Sequence, residues 1–323
     1  MAVLTTRTEI AAENASFYNR TLLDIAYPLF VHTQFAQVQD IPVNSGTDTI
    51  KFRKYGALTA QTTALTEGVT PTGKQLSVTD ITATALYYGD YVVITDKVSF
   101  ETLDPILTQA AYLLGQQAAD SLDQLTRDVL AAGTTIQYAS TASARTDITA
   151  AMKLTNAEIL EAVRTLKNNN ARPVMSRIDP NNGYNTIPLN RAFIGILHPN
   201  ATYDLQTDAA FVPVEKYPNK SDLLPNEVGS SGGVRFIETT NAKVFTGGGS
   251  AGADVYGTII FGQDAYGITR ISGHSLENIV TPLGSAGGAD PLKQRATSGW
   301  KATFVAKILQ QAWLLRIEHG VTA

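Results

Sequence analysis

The stretch DPILTQAAYLLGQQAADSLDQLTRDVLAAG, residues 104–133, carries a long helical pattern. Asp104 is a good N-cap and proline is tolerated at the first helical position, so the pattern predicts a start at Pro105. Apolar residues then recur at alternating steps of three and four: Leu107, Ala111, Leu114, Ala118, Leu122, Leu125 and Val129. A helix over 105–132 would be about 42 Å long, and an amphipathic helix of that length usually lies across a sheet.

Three carboxylates, Asp120, Asp123 and Asp128, lie along this predicted helix. A pair of carboxylates can perform acid–base chemistry. Their spacing is irregular, however, and nothing basic or metal-binding in the sequence converges on them. We therefore interpret them as a solvated or partner-facing edge of the helix.

Two strand-like segments precede the helix. In TDTIKFRKYGAL (47–58), apolar Ile50 and Phe52 alternate with basic Lys51 and Arg53, which predicts a half-buried strand. Its predicted partner is ITATALYYGDYVVITD (81–96). One face of that partner carries Ile81, Ala83, Ala85 and Tyr87.

The connection between the two segments, residues 56–80, is 25 residues long with seven threonines and no aromatic residue. Compact domains seldom keep so long a connection without structure of its own. The segment therefore predicts a functional loop, or one that is held by something outside its own chain.

This connection contains EGVTPTGKQLS (67–77), in which Gly68, Gly73 and Lys74 match the spacing of a phosphate-binding loop. That loop needs a Ser or Thr after the lysine, but Gln75 stands there. It also needs a buried strand before it and a helix after it, whereas the following residues alternate as a strand does. We interpret the segment as a flexible loop tip rather than a nucleotide site.

The rest of the chain predicts a mixed domain. Thr155 and Glu158 form a capping box for a helix that runs to about Asn168. Three segments predict strands: AFIGIL (192–197), VRFIETTNAKVF (234–245) and VYGTIIFG (255–262). RIDPNNGYN (177–185) predicts a hairpin turn around Asn182-Gly183. The C-terminal WKATFVAKIL (300–309) alternates as a long strand. The N-terminal SFYNRTLLDIAYPLF (16–30) predicts an amphipathic arm with one apolar face: Tyr18, Leu22, Ile25 and Leu29.

Composition excludes several kinds of chemistry. The chain has 323 residues, which suggests about two domains, and its 44% hydrophobic content allows a packed core. A formal net charge of −4 argues against a dedicated nucleic-acid binder. The chain has no cysteine, so disulfides and thiolate chemistry are excluded, and no run is apolar enough to span a membrane.

No catalytic, cofactor-binding or metal-binding residue is predicted. None of the four histidines has a partner four residues away, and no H-E-x-x-H motif occurs. Ser250 lies in GGSAG (248–252), which matches the nucleophile-elbow pattern, but a strand-like segment follows where that motif needs a helix. We interpret this glycine-rich segment as a hairpin tip.

The order of these parts, and several of the segments themselves, resemble the major capsid proteins of tailed bacteriophages. The resemblance spans residues 17–319. The segments that carry it are FYNRTLLDIAYPLFVHTQFAQ (17–37), IPVNSGTDTIKFRKYGAL (41–58), LTEGVTPTGKQLS (65–77), YGDYVVITD (88–96) and GWKATFVAKILQQAWLLRIEHG (299–320).

The resemblance implies an α+β capsid fold shared by tailed phages and herpesviruses, with four parts. Residues 1–45 would form the N-terminal arm, and 46–96 an extended loop with its tip at 56–80. Residues 97–155 and 270–323 would form a peripheral domain around a spine helix at 105–132. Residues 156–269 would form an axial α/β domain.

The resemblance also implies a structural protein rather than an enzyme: a subunit that assembles with copies of itself, as hexamers and pentamers, into an icosahedral shell around phage DNA. It implies a separate scaffolding protein and a portal as partners, no membrane, assembly in the host cytoplasm and location in the virion. The basic run and the loop tip supply the predicted inter-subunit contacts: Lys51, Arg53, Lys54, Glu67 and Lys74.

Two other functions remain open at this point. A non-viral shell that encapsulates an enzyme or a mineral would use the same fold. A soluble α/β hydrolase would use Ser250 as its nucleophile and would show hydrolytic activity as a monomer.

Overall fold

The computed structural model of the chain describes residues 30–42, 47–56, 58–101, 106–178, 186–217, 223–271, 276–285 and 291–322. The predicted amphipathic face of the arm, from Tyr18 to Leu29, lies outside these residues. The predicted turn at Asn182-Gly183 also lies outside them.

The described residues form sixteen strands and four α-helices. The strands are β1 (Gln37–Ile41), β2 (Thr49–Tyr55), β3 (Val78–Thr84), β4 (Leu86–Thr95), β5 (Ile136–Tyr138), β6 (Val174–Ile178), β7 (Thr186–Leu197), β8 (Val212–Pro213), β9 (Glu227–Ser231), β10 (Val234–Glu238), β11 (Lys243–Phe245), β12 (Val255–Phe261), β13 (Tyr266–Ile271), β14 (Glu277–Thr281), β15 (Arg295–Ile308) and β16 (Leu314–His319). The helices are α1 (Asp96–Glu101), α2 (Ile106–Ala131), α3 (Asn156–Asn168) and α4 (Pro199–Gln206).

Helix α2 corresponds to the predicted spine helix: the structure confirms a helix over Ile106–Ala131, and the predicted start at Pro105 lies outside the described residues. Its 26 residues make it about 39 Å long. Alanines at the buried positions Ala111, Ala118 and Ala119 are fully inaccessible, so the helix lies close to the sheet beneath it. That sheet contains β15, the predicted C-terminal strand, whose Trp300 donates a hydrogen bond from Nε1 to Gln117 of the helix at 3.2 Å.

The sheet beneath α2 is centred on β15. Its order is β1-β13-β15-β14, and β4 also pairs with β15. Strands β4 and β15 are antiparallel over ten residues of each strand. Alternate residues of β15, such as Trp300, Ala302 and Phe304, are buried on the α2 side.

The predicted partner strand of β2 is wrong in one respect, because 81–96 forms two strands instead of one. β3 pairs with β2, whereas β4 leaves the hairpin and pairs with β15. The chain changes partner at Ala85, whose N–H donates to Asp48 O at 2.9 Å and closes the hairpin. Tyr87 therefore does not share the buried face of Ala83, and its side chain is 63% exposed.

A second, nine-stranded sheet has the order β5-β16-β12-β7-β10-β9-β8, with β11 paired to β12 and β6 paired to β7. It contains the three predicted strand segments, and the pairing of β6 with β7 flanks the predicted hairpin turn. All seven residues of β12 are buried. Helix α3 starts at the predicted capping box, where Glu158 Oε2 accepts from Thr155 N at 2.9 Å.

The topology also bears on where the predicted domains meet. β16 lies in the nine-stranded sheet although 270–323 was assigned to the peripheral domain, and β13 pairs with β15 although it begins within 156–269. Trp313 packs against both hydrophobic clusters of the described residues, and one of these clusters contains residues of both sheets. The domain boundaries themselves stay a prediction.

The interpretation of Asp123 as part of a solvated helix edge is wrong. Its side chain is fully buried. Its carboxylate accepts from the backbone N–H of Val31 at 3.0 Å and of His32 at 2.7 Å, and it bonds His32 Nδ1 at 2.7 Å. Asp123 therefore fixes residues 30–36 on the spine helix, 92 positions away in sequence.

The other two carboxylates on this helix also have partners in their own chain. Asp120 accepts from Asn241 Nδ2 at 3.2 Å, and Asp128 accepts from Lys243 Nζ at 2.9 Å. The neighbouring cations lower the pKa of Asp128 in spite of its partial burial. These two side chains connect the spine helix to the turn and strand at 241–243, and Asp128 stays exposed, as the interpretation of a solvated edge expects.

Replacing Asp123 by alanine should destabilise the protein strongly, because three buried donors lose their acceptor. At about 1–3 kcal/mol for each orphaned donor, we expect a loss of at least about 3 kcal/mol in the free energy of unfolding. Urea unfolding of the protein measures it. The matched control is Asp120→Ala on the same helix, for which we expect about 1 kcal/mol. Equal effects of the two variants would contradict the anchoring role of Asp123.

His319, the last residue of β16, gives a second prediction because its ring is fully buried. Nε2 lies 2.8 Å from Thr258 Oγ1 and Nδ1 lies 2.8 Å from Gly320 O, so a neutral ring protonated at Nδ1 satisfies both contacts. Burial lowers the pKa of His319 from 6.5 to about 4. The His319 ring therefore binds a proton below about pH 6.5 in the unfolded chain, but only below about pH 4 in the folded chain.

The stabilisation from neutral His319 should be complete above about pH 6.5 and be lost as the pH falls towards 4. A difference of this size corresponds to about 3 kcal/mol. The free energy of unfolding at pH 7 and pH 4.5 should differ more in the parent than in His319→Gln. In a titration followed by nuclear magnetic resonance, a His319 ring that titrates near pH 6.5 in the folded chain would refute this assignment.

Candidate functional site

The motif residues Gly68, Gly73 and Lys74 lie in a segment without a strand before it or a helix after it. The next element is strand β3. Lys74 Nζ turns back across the loop, where it donates to the backbone carbonyl of Thr59 and to its hydroxyl. This lysine therefore ties the two sides of the tip together, and the structural context of a phosphate-binding loop is missing.

Ser250 lies at the tip of the β11–β12 hairpin, as predicted. Phe245 pairs with Val255 at the end of that ladder. The Ser250 N–H donates to Ile148 O at 2.8 Å, and strand β12 follows instead of the helix that a nucleophile elbow requires. The geometry thus lacks the elbow on which the hydrolase hypothesis depended.

Within the described ranges, no group of three His, Asp or Glu side chains is placed to hold a metal ion. A search of the same ranges finds no helix long and apolar enough to cross a membrane. One cavity of about 310 Å³ lies beside the β9–β10 hairpin. The guanidinium of Arg235 lines it and is paired with Glu227, so its charge is neutralised from within the chain.

The β2–β3 hairpin is the most unusual feature of the described fold. Its seven-residue ladder pairs Thr49 with Thr84 and Tyr55 with Val78. Phe52, in the middle of this ladder, anchors the hairpin to the body of the fold. A Cβ added to Gly267 of β13 would lie 3.1 Å from the Phe52 ring, so the ring sits directly on this glycine.

The register shows on which face of the sheet the hairpin base lies. Gly267 pairs with Lys307, an odd-numbered residue of β15. Even-numbered Trp300 faces α2. Because successive side chains of a strand point to opposite faces, Phe52 packs on the face opposite the spine helix. One end of that face is covered by the hairpin of the same chain.

The five predicted contact residues lie along this hairpin. Arg53 Nε donates to Asp80 across the ladder at 3.1 Å, and Asp80 raises the pKa of Arg53. Lys54 Nζ donates to the side chain of Gln310 in the body of the fold. Lys51 and Glu67 are exposed, and neither makes a hydrogen bond or ion pair with another described residue.

Arg53 and Lys54 thus already have partners within their own chain, which the prediction of inter-subunit contacts did not anticipate. Asp80 was missed as a partner of Arg53. The alternation of both segments contained that information, since it fixes which residues lie opposite each other in an antiparallel ladder.

The tip, residues 58–77, is exposed throughout, including Leu65, which is 72% exposed. Strand β4 continues this exposure along the body of the fold. The exposed large apolar side chains on the hairpin, tip and β4 are Tyr55, Leu58, Leu65, Val69, Leu76, Val78, Leu86, Tyr87, Tyr91, Val92 and Val93. An apolar surface of this extent marks an interaction surface.

Comparison with known proteins gives matches in structure. No family model matches the chain, and no curated protein matches it. The capsid of Ralstonia phage GP4 is similar with a TM-score of 0.70 at 12% identity, covering 88% of this chain and 87% of that one. The capsid asymmetric unit of cyanophage Pam1 is similar with a TM-score of 0.65 at 17% identity, covering 92% of each chain.

The chain has the fold of these phage capsid proteins. This confirms the predicted α+β capsid fold. One further match is the holo-SrpI encapsulin complex from Synechococcus elongatus PCC 7942, with a TM-score of 0.55 at 8% identity, covering 89% of this chain and 86% of that one. The fold of this chain is therefore similar to those of proteins from both shell classes considered from the sequence, phage capsids and non-viral shells.

On the capsid fold, the tip should be dispensable for the stability of the subunit, because residues 58–77 are exposed. Deleting 60–76 and closing the strands with a short turn should change the free energy of unfolding by less than about 1 kcal/mol. Thermal unfolding of the subunit checks this. Phe52→Ala is the contrasting variant, with an expected loss of about 3 kcal/mol or more from the hairpin base. A tip deletion that unfolds the subunit would place the tip in its own core.

Proposed function

We propose that the chain is a major capsid protein, a structural subunit that assembles with many copies of itself into an icosahedral shell around phage DNA. The observation that supports this most is the exposed tip and hairpin on a capsid fold. Exposure of Leu58, Leu65 and Val69 to water is unfavourable for a subunit that stays free, whereas a subunit that packs against its neighbours can bury these side chains.

Energetics favour the same conclusion. Ordering a backbone costs about 1–2 kcal/mol per residue, and a tip that buries almost nothing in its own chain does not offset that cost. Contacts with other copies supply the burial. Because a closed shell repeats each contact many times, individually weak contacts suffice.

The inter-subunit contacts proposed are Lys51, Arg53, Lys54, Glu67 and Lys74. Lys51 and Glu67 are the strongest of these, since they lie exposed at the base and the tip of the hairpin. Arg53, Lys54 and Lys74 have partners within the chain and would contribute by holding the hairpin in shape. A net charge of −4 suits ion pairs with neighbouring subunits better than dedicated DNA contacts.

In this proposal the copies form hexamers and pentamers, with a separate scaffolding protein and a portal as further partners. Assembly takes place in the host cytoplasm and the protein ends in the virion. The packaged DNA lies near the shell without being recognised by sequence. The subunit has a structural role and performs no catalysis.

A cargo shell is the second candidate, favoured by the similarity to an encapsulin complex. The contents of the purified particles separate the two. Phage shells contain DNA, and a cargo shell contains an enzyme or a mineral.

The purified protein is expected to form capsomers or closed shells, with scaffolding protein added where needed. Sedimentation and negative-stain microscopy measure this. Lys51→Glu should lower the yield in the absence of DNA, because it replaces an attractive contact by a repulsive one. Lys216→Glu, an exposed lysine away from the hairpin, is the matched control.

A chain that stays monomeric at high concentration with scaffold present would overturn the shell function. A Lys51→Glu variant that assembles normally and only retains less DNA would overturn the ion-pair assignment and leave the shell function standing.

A further inference from the structure

The first turn of helix α4 (Pro199–Gln206) is capped by a histidine side chain. The ring Nδ1 of His198 accepts the backbone N–H of Asn200 at 3.2 Å, and the His198 carbonyl accepts the N–H groups of Ala201 and Thr202. The residues usually found at this position are Ser, Thr, Asp and Asn, which cap a helix with an oxygen. A histidine can cap it only while its ring is neutral, because both ring nitrogens of the charged form are donors.

The His198 ring also attaches the start of α4 to strand β12. It packs on the ring of Tyr256, with 5.1 Å between the ring centres and an interplanar angle of 59°. The Tyr256 hydroxyl accepts from Asn200 Nδ2 at 3.0 Å. The His198 ring is half-buried, so protons from the solvent can reach it.

The groups around this ring keep it neutral in the folded chain. Glu238, at the end of β10, is the charged group of the described residues that acts on His198, and it favours the protonated ring. Burial outweighs this attraction and lowers the pKa of His198 from its ordinary value of 6.5. On the other side of Tyr256, the ring of His319 lies 6.4 Å away between ring centres and stays neutral down to about pH 4.

Protonation of His198 acts against the first turn in two ways. A proton on Nδ1 turns the acceptor of the Asn200 N–H into a donor, so this N–H loses its partner. The positive charge also lies at the N-terminus of α4, where the helix dipole already carries partial positive charge. Both effects weaken the start of the helix.

The second half of α4 has an anchor that mild acid leaves in place. The carboxylate of Asp204 accepts from the Thr322 N–H at 2.8 Å and pairs with Lys153 Nζ at 3.3 Å. Burial alone would raise the pKa of Asp204, but the hydrogen bonds from Thr322 and Lys153 lower it below its ordinary value of 3.8. Asp204 therefore stays charged at about pH 5.5, where its contacts with the C-terminal residues persist.

We propose that α4 is an acid-sensitive helix, in which protonation of His198 releases the first turn from strand β12 while Asp204 holds the second half. The released turn uncovers the ring of Tyr256, a residue that is 9% exposed while the cap is in place. The response belongs to the folded chain itself and does not rest on the proposed shell function.

Hydrogen exchange resolved to single amides measures the opening of the first turn. The exchange rates of Asn200, Ala201 and Thr202 are compared at about pH 7.5 and about pH 5.5, after correction for intrinsic exchange. Because the pKa of His198 is lowered in the capped state, the cap is complete above about pH 6.5 and is lost as the pH falls. With a pKa of about 6.5 in the opened turn, opening increases at most about elevenfold at pH 5.5, and we expect about three- to tenfold.

Two variants at this position separate the cap from its titration. His198→Asn keeps a cap that does not titrate, so it should protect the three amides equally at both pH values. His198→Ala removes the cap and should leave them weakly protected at both. Helix α3, which is capped by Thr155 and Glu158, is the internal control, and its protection should not change between the two pH values.

A first turn that opens equally at both pH values in the parent would overturn the proposal. So would a His198→Asn variant that loses as much protection in acid as the parent, because the response would then come from another group. In His319→Gln the response should persist, since His319 is neutral at about pH 5.5, and its disappearance would assign the response to His319 instead. Failure of the protein to form shells would overturn the proposed function and leave these results unaffected.

Discussion

The pairing of β15 with β4 determines how the spine helix, the neighbouring strands and the β2–β3 hairpin are arranged. One face of β15 carries the spine helix, with Trp300 bonded to Gln117. Its edges hold β4, β13 and β14. β4 is fixed to β15 for ten residues, and only Ala85 separates β4 from strand β3 of the hairpin. The pairing therefore also sets where the hairpin leaves the body. Phe52 on Gly267 then fixes its base on the opposite face, so an exposed projection is supported by a buried strand.

Buried charges connect the remaining parts to this centre. Asp123 holds residues 30–36 on the spine helix through three hydrogen bonds to Val31 and His32. In the nine-stranded sheet, fully buried Glu318 accepts from Arg145 and Arg316. Burying a carboxylate is costly unless its oxygens are bonded, and in both places they are. The Asp123 contacts and the Arg145–Glu318 pair join segments far apart in sequence, so they help to fix the relative positions of those elements.

The sequence predicts well the elements whose cause is local. The spine helix follows from its apolar spacing, α3 from the Thr155 and Glu158 cap, and β15 from its alternation. The change of pairing partner at Ala85 could not be predicted from the sequence, because the single residue between β3 and β4 is neither a glycine nor a proline. Asp123 was misread for a related reason: a buried aspartate and a solvated one look alike when the partner is 92 residues away. Likewise, nothing local to β16 shows that it pairs with β12 instead of extending the sheet of β15.

The same limit explains why the partners of the predicted contact residues within their own chain were not foreseen. Lys51, Arg53 and Lys54 stand out in sequence as a basic run. In the structure, however, Arg53 donates a hydrogen bond to Asp80 and Lys54 donates one to Gln310. Arg53 and Lys54 are therefore already paired within their own chain, whereas Lys51 and Glu67 stay exposed. The chain presents an exposed apolar tip, and among the described residues strand β4 pairs with β15 alone. Asp90, the one charged residue of β4, opposes non-specific strand pairing at this edge, where its carboxylate accepts from the Tyr91 N–H. Exposed apolar length with sparse charge is the composition of an interaction surface, in which apolar side chains supply contact area and the few charges limit non-specific contacts.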